Sequence, residues 1–280
     1  MASIKLIADC GSTKSEWSVV GNGKVKTIIT QGISPYFLSS EQIRELLRNE
    51  LLPRLKNTGI DEIYYYGTGC ANPENARAVK KALKQLFPEA YIEVTHDLLG
   101  AARALCGEKK GIACILGTGS NSAFYNGKKI VKNSPGLGYV LGDEGSGAYL
   151  GKKVIQYYLY RTFDEELRGR FDLTYLTNSA EILDNVYKQP LPNRYLAGFT
   201  GFLVENRGHY MIENIIEDGL NDFFFTHLCK FTESWNNPIN FTGSVAYGFR
   251  DVLHTLCHSY EFELGTVLKK PMTGLIGFHS

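Results

Sequence analysis

The same succession of local patterns occurs twice along the 280 residues of this chain. An apolar run leads into the loop 9–14 (Asp-Cys-Gly-Ser-Thr-Lys), and Asn22-Gly23, a strong signal for a tight hairpin turn, follows it. A second apolar run leads into the loop 117–121 (Gly-Thr-Gly-Ser-Asn), and Asn126-Gly127 lies 104 residues beyond the first turn. One Asn-Gly hairpin is common, but the whole succession in the same order twice predicts an internal duplication with two similar halves.

Strands and helices alternate through the first half. The predicted strands cover 4–8, 16–20, 25–30, 60–66 and 91–94. The predicted helices cover 40–55, with Ser40 as the N-terminal cap, 73–87 and 98–106. This alternation favours an α/β fold, in which functional sites gather at the carboxyl ends of the strands.

The second half contains a long segment without strands. Residues 148–235 lack a convincing strand pattern and are predicted to be mainly helical. The elements predicted after this segment are a strand over 238–242, a turn at Gly243-Ser244, a helix over 245–257 and a closing helix over 271–279.

A glycine-rich stretch at 135–151 separates the second repeat from the helical segment. It contains six glycines and the acidic pair Asp143 and Glu144. Glycine permits close approach of the backbone to a ligand, and carboxylates beside such a turn can accept hydrogen bonds from a polyhydroxylated molecule. Because apolar residues such as Leu137 and Tyr149 are interleaved here, a binding loop is favoured over a mobile linker.

Three loops at predicted strand ends have a composition suited to phosphate or hydroxyl groups. They cover 9–15, 117–121 and 243–246. Backbone amides in such turns can surround phosphate oxygens, and Ser and Thr hydroxyls add donors. None of the loops matches a P-loop, and the second lacks the last glycine of a dinucleotide fingerprint.

Charge, hydropathy and cysteine spacing exclude several classes of protein. A net charge of +1, with Lys and Arg scattered among acids, offers no electrostatic basis for binding nucleic acid or a membrane surface. No signal peptide or spanning segment is visible, so a cytoplasmic location is expected. The six cysteines are widely spaced without a Cys-x-x-Cys pair, which favours buried free thiols over a zinc or redox site.

Taken together, the motifs resemble those of the superfamily of sugar kinases, heat-shock chaperones and actin. Within it, the chain is most similar to the family of N-acetylglucosamine kinases and benzoyl-CoA reductase activator-type ATPases. The loop 9–13 resembles the first phosphate loop of this family, 116–121 the second, and 241–246 the adenosine loop. The motif 142–146 (Gly-Asp-Glu-Gly-Ser) resembles the sugar-kinase branch and is the most specific match.

The resemblance implies an α/β fold of two duplicated actin-like (ribonuclease H-like) halves with a nucleotide and sugar cleft between them. The first domain would cover 1–107, joined by a C-terminal helix over 267–280. The second would cover 108–266, with the helical region 148–235. The implied partner is a small amino sugar, and a homodimer stays open.

The resemblance also implies roles for individual residues. Asp97 would be the general base that takes the proton from the primary hydroxyl of the sugar, and Asp9 would hold Mg²⁺ through water. The residues implied to bind ATP are Gly11, Ser12, Thr13, Lys14, Gly117, Thr118, Gly119, Gly243 and Ser244. The residues implied to bind the sugar are Ser34, Asp97, Gly119, Ser120, Asn121, Gly136, Asp143 and Ser146.

Simpler roles compete with some of these assignments. Asp97 and Asp9 can cap a helix and a turn, although their positions at strand ends within the repeat favour function. For His96, a hydrogen-bonded structural role is favoured over proton transfer. Lys14 is as well explained by a solvated loop position as by a phosphate contact.

Three positions depart from the family pattern. Leu137 lies where animal sugar kinases have tryptophan, and Ser34 where relatives often have asparagine. Both leave N-acetylmuramic acid, glucosamine and glucose open beside N-acetylglucosamine as the acceptor. Ser244 replaces a second glycine of the adenosine loop, which bears on nucleotide affinity.

Three functions are compatible with the resemblance. The favoured one is an ATP-dependent kinase that converts N-acetylglucosamine to its 6-phosphate. The second is an ATPase activator of an iron–sulfur dehydratase or reductase, which needs cysteine ligands at a dimer interface; the dispersed cysteines count against it. The third is a non-catalytic sugar sensor or scaffold, which the presence of Asp9 and Asp97 disfavours.

Overall fold

The computed structural model describes residues 3–11, 13–21, 23–56, 58–134 and 136–280. The chain divides into two compact units. The N-terminal unit comprises residues 1–108 together with Pro271–Ser280, and the C-terminal unit comprises Lys109–Lys270.

In the described part of the chain, ten strands form two sheets, one in each unit. The strands are β1 (Lys5–Cys10), β2 (Lys14–Gly21), β3 (Lys24–Gln31), β4 (Glu62–Gly67), β5 (Tyr91–His96), β6 (Lys110–Leu116), β7 (Ser120–Asn126), β8 (Ile130–Ser134), β9 (Ile239–Thr242) and β10 (Leu264–Leu268).

Helices cover most of the remaining described chain. They are α1 (Ser40–Glu50), α2 (Leu52–Leu55), α3 (Pro73–Leu86), α4 (Asp97–Cys106), α5 (Gly138–Leu141), α6 (Gly147–Leu159), α7 (Glu165–Tyr175), α8 (Ser179–Tyr187), α9 (Pro192–Gly198), α10 (Thr200–Glu205), α11 (Tyr210–Thr226), α12 (Ser244–Gly248), α13 (Arg250–Ser259) and α14 (Met272–Phe278).

The two sheets have the same topology. The first has the order β3-β2-β1-β4-β5, and the second, taken from its β8 edge, has the order β8-β7-β6-β9-β10. In both sheets the first three strands of the repeat are antiparallel, and the last two run parallel to the first. The predicted duplication with two actin-like halves is therefore confirmed.

The N-terminal unit buries its core between the sheet and the helices on its two faces. Trp17 and Tyr65 are fully buried and lie 5.9 Å apart between ring centroids. On the other face, Gly100 of α4 lies against Tyr66 of β4, so closely that a Cβ at Gly100 would come within 2.8 Å of the tyrosine ring. This contact holds α4 close to the sheet.

The C-terminal unit has a larger core because seven helices, α5 to α11, lie between β8 and β9 in the chain. Aromatic side chains fill this core; Phe171, Phe202, Phe223 and Phe224 are fully buried. The helical region expected from the sequence lies in this part of the structure.

Several boundaries differ from those predicted. Ser39, rather than Ser40, caps α1: its hydroxyl accepts from the Gln42 amide, and the Gln42 side chain accepts from the Ser39 amide. The buried Ser40 hydroxyl instead donates to the carbonyl of Ala78. The helix predicted over 245–257 is interrupted at Phe249.

The strand β10 was not predicted. Its sequence, Leu-Gly-Thr-Val-Leu, is short and lies at the sheet edge, where burial is incomplete and the period of two is lost. The C-terminal helix predicted over 267–280 therefore begins only at Met272, since 267 and 268 belong to β10.

Candidate functional site

In the N-terminal unit, two acidic side chains lie at one edge of the sheet. Cys10 of β1 pairs with Gly67 of β4, and Gly67 pairs with His96 of β5, so these parallel strands end in register. Asp9 precedes Cys10 by one residue, and Asp97 follows His96 as the first residue of α4. Because these parallel strands end in register, Asp9 and Asp97 lie at the same end of the sheet, where the carboxyl ends of the strands meet.

The Asp97 carboxylate is half-buried at the start of α4. Its Oδ1 accepts a hydrogen bond of 2.9 Å from the amide of Leu98. Burial raises the pKa of Asp97, whereas this hydrogen bond and the nearby His96 oppose the rise. Burial also lowers the pKa of His96, so its imidazole is less easily protonated than usual.

The first phosphate loop is joined to the segment that carries Ser34. The Gly32 amide donates to the carbonyl of Thr13 at 3.1 Å, and the Ile33 amide donates to that of Gly11 at 3.1 Å. Ser34 itself is buried, whereas Lys14, the first residue of β2, is exposed. Ser12, predicted to bind phosphate, lies outside the described residues.

In the C-terminal unit, the second phosphate loop and the adenosine loop are in direct contact. Gly243 has a φ of +126°, and a Cβ there would lie 2.1 Å from the carbonyl oxygen of Leu116 and 3.0 Å from the amide nitrogen of Gly117. Only glycine fits this backbone and this approach. The structure thus brings together Gly243 and Gly117, two predicted nucleotide residues; Ser244 follows, exposed, at the start of α12.

The start of α6 is tied to the same loop. The amides of Gly147 and Ala148 donate to the carbonyls of Gly117 and Thr118 at 2.8 and 3.0 Å. Ser146 caps this helix by accepting from the amide of Tyr149 at 3.2 Å. The glycine-rich stretch and the second phosphate loop therefore form one continuous structure.

Asp143 lies at the centre of this structure. It has a left-handed backbone with a φ of 58°, and only 8% of the residue is exposed. Its carboxylate accepts hydrogen bonds from the backbone of Ser120 and Gly138; burial raises its pKa, and these two bonds oppose the rise.

Two predicted sugar residues lie directly against Asp143. A Cβ on Gly119 would lie 2.9 Å from its Oδ2, and one on Gly136 would lie 3.2 Å from its Oδ1. The structure thus brings Gly119, Ser120, Gly136 and Asp143 together.

The side chains of Ser120 and Asn121 differ in their partners. The Ser120 hydroxyl is buried, with no hydrogen-bond partner in the described part of the chain. Oδ1 of Asn121 accepts from the amide of Ser122 at 2.9 Å and from Nδ2 of Asn133 at 2.8 Å. Asn121 therefore also supports the β7–β8 hairpin.

A buried chain of polar side chains beside Asp143 was not predicted. Nε2 of His227 lies 3.0 Å from Oε2 of Glu144, and Nδ1 of His227 lies 2.7 Å from the hydroxyl of Ser134. His227 is 83 residues from Glu144 and 93 from Ser134 in the chain. The only local signal was the position of Glu144 next to Asp143.

The chain is similar over almost its whole length to a protein of known structure from Porphyromonas gingivalis, named as a "Putative N-acetylglucosamine Kinase". The two are 41% identical in sequence and superpose with a TM-score of 0.94, covering 98% of each chain. The chain belongs to the N-acetylglucosamine kinase family. No family model matches it.

Two further comparisons place this family member in a wider setting. An N-acetylmuramic acid/N-acetylglucosamine kinase of Clostridium acetobutylicum is 23% identical over 201 residues, which are 67% of this chain and 65% of that relative's length. MreB 5 of Spiroplasma citri, solved with AMPPNP, is 12% identical with a TM-score of 0.61, covering 99% of this chain and 95% of that one. The second likeness concerns the fold alone.

The predicted site residues of this family member are divided between its two units. The N-terminal unit carries Asp9, Gly11, Thr13, Lys14, Ser34 and Asp97. The C-terminal unit carries Gly117, Thr118, Gly119, Ser120, Asn121, Gly136, Asp143, Ser146, Gly243 and Ser244.

Across the described ranges, no helix has both the length and the apolar character needed to cross a membrane.

Proposed function

We propose that this protein is an ATP-dependent sugar kinase that transfers the γ-phosphate of ATP to the primary hydroxyl of an amino sugar. The expected acceptor is N-acetylglucosamine, and the expected product is its 6-phosphate. The observation that carries the proposal is the position of Asp97, a half-buried carboxylate directly after a strand end in a fold shared with a 41% identical member of this family.

Asp97 is proposed as the general base. The sugar hydroxyl oxygen would attack the γ-phosphorus as the bond to the leaving ADP oxygen breaks, and the hydroxyl proton would pass to the Asp97 carboxylate. Because burial raises the pKa of Asp97, its ionised form is a stronger base than an exposed aspartate.

The phosphate groups of ATP are proposed to lie on the glycine loops. Gly11, Ser12, Thr13 and Lys14 would serve the first loop. Gly117, Thr118 and Gly119 would serve the second, and Gly243 with Ser244 the adenosine side. The tight approach of Gly243 to the end of β6 supports this assignment, because a close backbone approach leaves amide groups rather than side chains to contact a ligand.

Asp9 is proposed to hold Mg²⁺ through water. A single carboxylate at a strand end fits this ion, because Mg²⁺ in phosphoryl-transfer sites keeps several waters and is bound by one or two carboxylates together with phosphate oxygens. When bound, Mg²⁺ neutralises charge that develops on the transferred phosphate.

The sugar is proposed to contact the turn around Asp143. The hydrogen bonds from Ser120 and Gly138 hold the Asp143 carboxylate in place, and each carboxylate oxygen has a second lone pair to accept from a sugar hydroxyl. Gly119, Ser120, Gly136 and Ser146 contact Asp143 in the C-terminal unit, and Asn121, which follows Ser120, is proposed to bind the sugar with them. Ser34 and Asp97 would contribute from the N-terminal unit.

The test measures ATP-dependent phosphorylation of N-acetylglucosamine, N-acetylmuramic acid, glucosamine and glucose. We expect sugar-dependent ADP release that falls by about 10²- to 10⁴-fold in Asp97→Asn. Glu89→Gln, a change at an exposed carboxylate of the same unit, is the matched control and should keep wild-type turnover. ATP hydrolysis at the same rate with and without each sugar, or no turnover at all, contradicts the proposal. Either result favours an ATPase activator or a sensor.

A further inference from the structure

The segment from Ser134 to Glu144 begins and ends at the same buried imidazole. Ser134, at the end of β8, contacts Nδ1 of His227, and Glu144 contacts Nε2. We define the described part of the chain between them, residues 136–143, as the acceptor loop; it carries Gly136 and Asp143. One side chain, which directly follows the end of α11, thus contacts both ends of this segment.

The chemistry of an ionised carboxylate fixes the direction of the hydrogen bond between His227 and Glu144. An ionised carboxylate only accepts, so Nε2 of His227 carries the proton that is donated to Glu144. Nδ1 accepts from the hydroxyl of Ser134 when the imidazole is neutral and donates to the Ser134 oxygen when it is protonated, so Ser134 can pair with the ring in either form. Ser134 therefore orients the ring, and the ring orients Glu144.

Burial makes this arrangement rigid. The His227 side chain is 4% exposed, and the Glu144 side chain 19% exposed. The His227 ring also lies 4.9 Å from the ring of Phe223, one turn earlier in the chain. Glu144 in contrast is partly exposed to solvent, so the buried His227 holds a carboxylate that a ligand can still reach.

Helix α11, which ends next to His227, also contacts the residues that follow Glu144 at two points. A Cβ on Gly145 would lie 2.9 Å from Cβ of Phe223, and the hydroxyl of Tyr149 donates to Asp222 at 2.6 Å. Because Gly145 follows Glu144 directly, the acidic turn is packed against the helix as well as hydrogen-bonded to it. The exposed side of the loop has no such support: Leu137, Val140 and Leu141 are more than 60% exposed.

We propose that His227, oriented by Ser134, is a positioning residue for acceptor binding: it holds Glu144 beside Asp143 and so fixes the turn that presents these two carboxylates to the sugar. This inference rests on the proposed kinase function. Without the imidazole, Glu144 loses its donor and the acceptor loop loses the link between its two ends. The consequence is expected to be larger for sugar binding, which uses this turn directly, than for nucleotide binding.

The test compares His227→Leu, His227→Gln and Ser134→Ala in steady-state kinetics, with sugar and ATP varied separately. Loss of a hydrogen bond to a charged group predicts a rise of roughly 10- to 100-fold in KM for the sugar in His227→Leu, with KM for ATP within about twofold. Glutamine retains an N–H donor close to the Nε2 position, so His227→Gln should recover to within about threefold of wild type. His254→Leu, at an exposed histidine of the same unit, is the matched control.

Several outcomes would overturn the inference. A His227→Leu protein with a lower unfolding temperature but a wild-type KM for the sugar shows a structural role only. Equal defects in His227→Leu and His227→Gln would show that the donor is irrelevant. If His227→Leu fails to fold, Ser134→Ala decides, with an expected rise of roughly 3- to 10-fold in KM for the sugar and an unchanged KM as the contrary result.

The wild-type protein separates this inference from the proposed function. If it phosphorylates a sugar while His227→Leu keeps its KM, the inference alone fails. If it neither phosphorylates nor, by calorimetry, binds any of the four sugars, the proposed function fails and the inference with it.

Discussion

The two units use the same sheet topology but support their acidic residues in different ways. In the N-terminal unit, Asp9 and Asp97 lie at or directly after strand ends, and the described residues of the connection from β3 to β4 form the two helices α1 and α2. In the C-terminal unit, the corresponding connection from β8 to β9 contains seven helices, and Asp143 and Glu144 lie in a turn inside it. Regular sheet geometry places the first pair, and packing against inserted helices places the second.

In the proposed sugar kinase, this difference would separate two requirements. The proposed general base, Asp97, must be placed accurately relative to the transferred phosphate, and its position after a strand end in a fixed register would provide that accuracy. Acceptor selection depends on shape and hydrogen bonding, which a loop can change without altering the sheet. The N-terminal copy of the fold thus has a short connection after its third strand, whereas the C-terminal copy has a long helical insertion at the same place.

The largest expected effect concerns the glycines after the fourth strand of each copy. Gly243→Ala would force a Cβ onto the Leu116 carbonyl and an unfavourable φ, so we expect a loss of roughly 2–6 kcal/mol in the free energy of unfolding. In the N-terminal copy, Gly69 has a φ of +76° but faces the side chain of Tyr36, which is 64% exposed and can move. Gly69→Ala should therefore cost only about 1–2 kcal/mol.

Urea denaturation of the two variants, with nucleotide binding measured in parallel, checks this expectation. Gly248→Ala, at a site with open space around the glycine, serves as the control. Equal losses in Gly243→Ala and Gly69→Ala would contradict the idea that the backbone contact between the loops is peculiar to the C-terminal unit.

A smaller effect distinguishes the two aspartates. Both have a pKa raised by burial, so ionising either one opposes folding at neutral pH. Stability linked to a raised pKa is fully present below the unfolded pKa and is lost as pH rises through the folded pKa. Asp97→Asn should therefore stabilise the protein at pH 7 and have little effect below pH of about 3.5.

Asp143→Asn should behave differently, because its carboxylate accepts from two backbone groups that an amide satisfies less well. We expect a net loss of stability at pH 7, despite the similar direction of the pKa shift. Unfolding curves at pH 7 and at low pH measure both variants. A stabilising Asp143→Asn would indicate that the turn does not depend on these two bonds.

The smallest effect concerns the C-terminal residues of the N-terminal unit. Burial lowers the pKa of His279 to about 4. Nε2 of His279 lies 2.7 Å from the hydroxyl of Tyr66, and the oxygen of that hydroxyl accepts a hydrogen bond from Arg103. A depressed pKa contributes stability above the unfolded value, and this stability is lost as pH falls through the folded value. The N-terminal unit should thus lose stability between pH of about 6.5 and 4.

Replacing the histidine removes this titration. His279→Gln should flatten the pH dependence of the unfolding free energy in that range, whereas His258→Gln, at an exposed histidine of the C-terminal unit, should leave it unchanged. An identical slope in wild type and His279→Gln would show that protonation of His279 does not contribute.

Local pattern determined much of this architecture. The duplication was visible because each hairpin repeats an apolar run, a glycine loop and an Asn-Gly turn within about 20 residues, the range in which side-chain alternation and turn chemistry act. The position of Asp97 was visible for the same reason, since a strand end and a helix start are adjacent in the chain. The edge strand β10 was missed because partial burial removes the alternation that marks a strand.

Only the tertiary structure decided what supports the acceptor loop. Gly119 and Gly136 were predicted to bind the sugar, and Gly145 lies in the glycine-rich stretch 135–151, but the contacts of these glycines with Asp143 and Phe223 depend on the path of the chain through the inserted helices. The link from Ser134 through His227 to Glu144 joins residues 83 and 93 positions apart, and no periodic pattern spans such distances. Sequence determines what each short segment prefers, whereas the contacts between remote segments follow from how their apolar faces pack together.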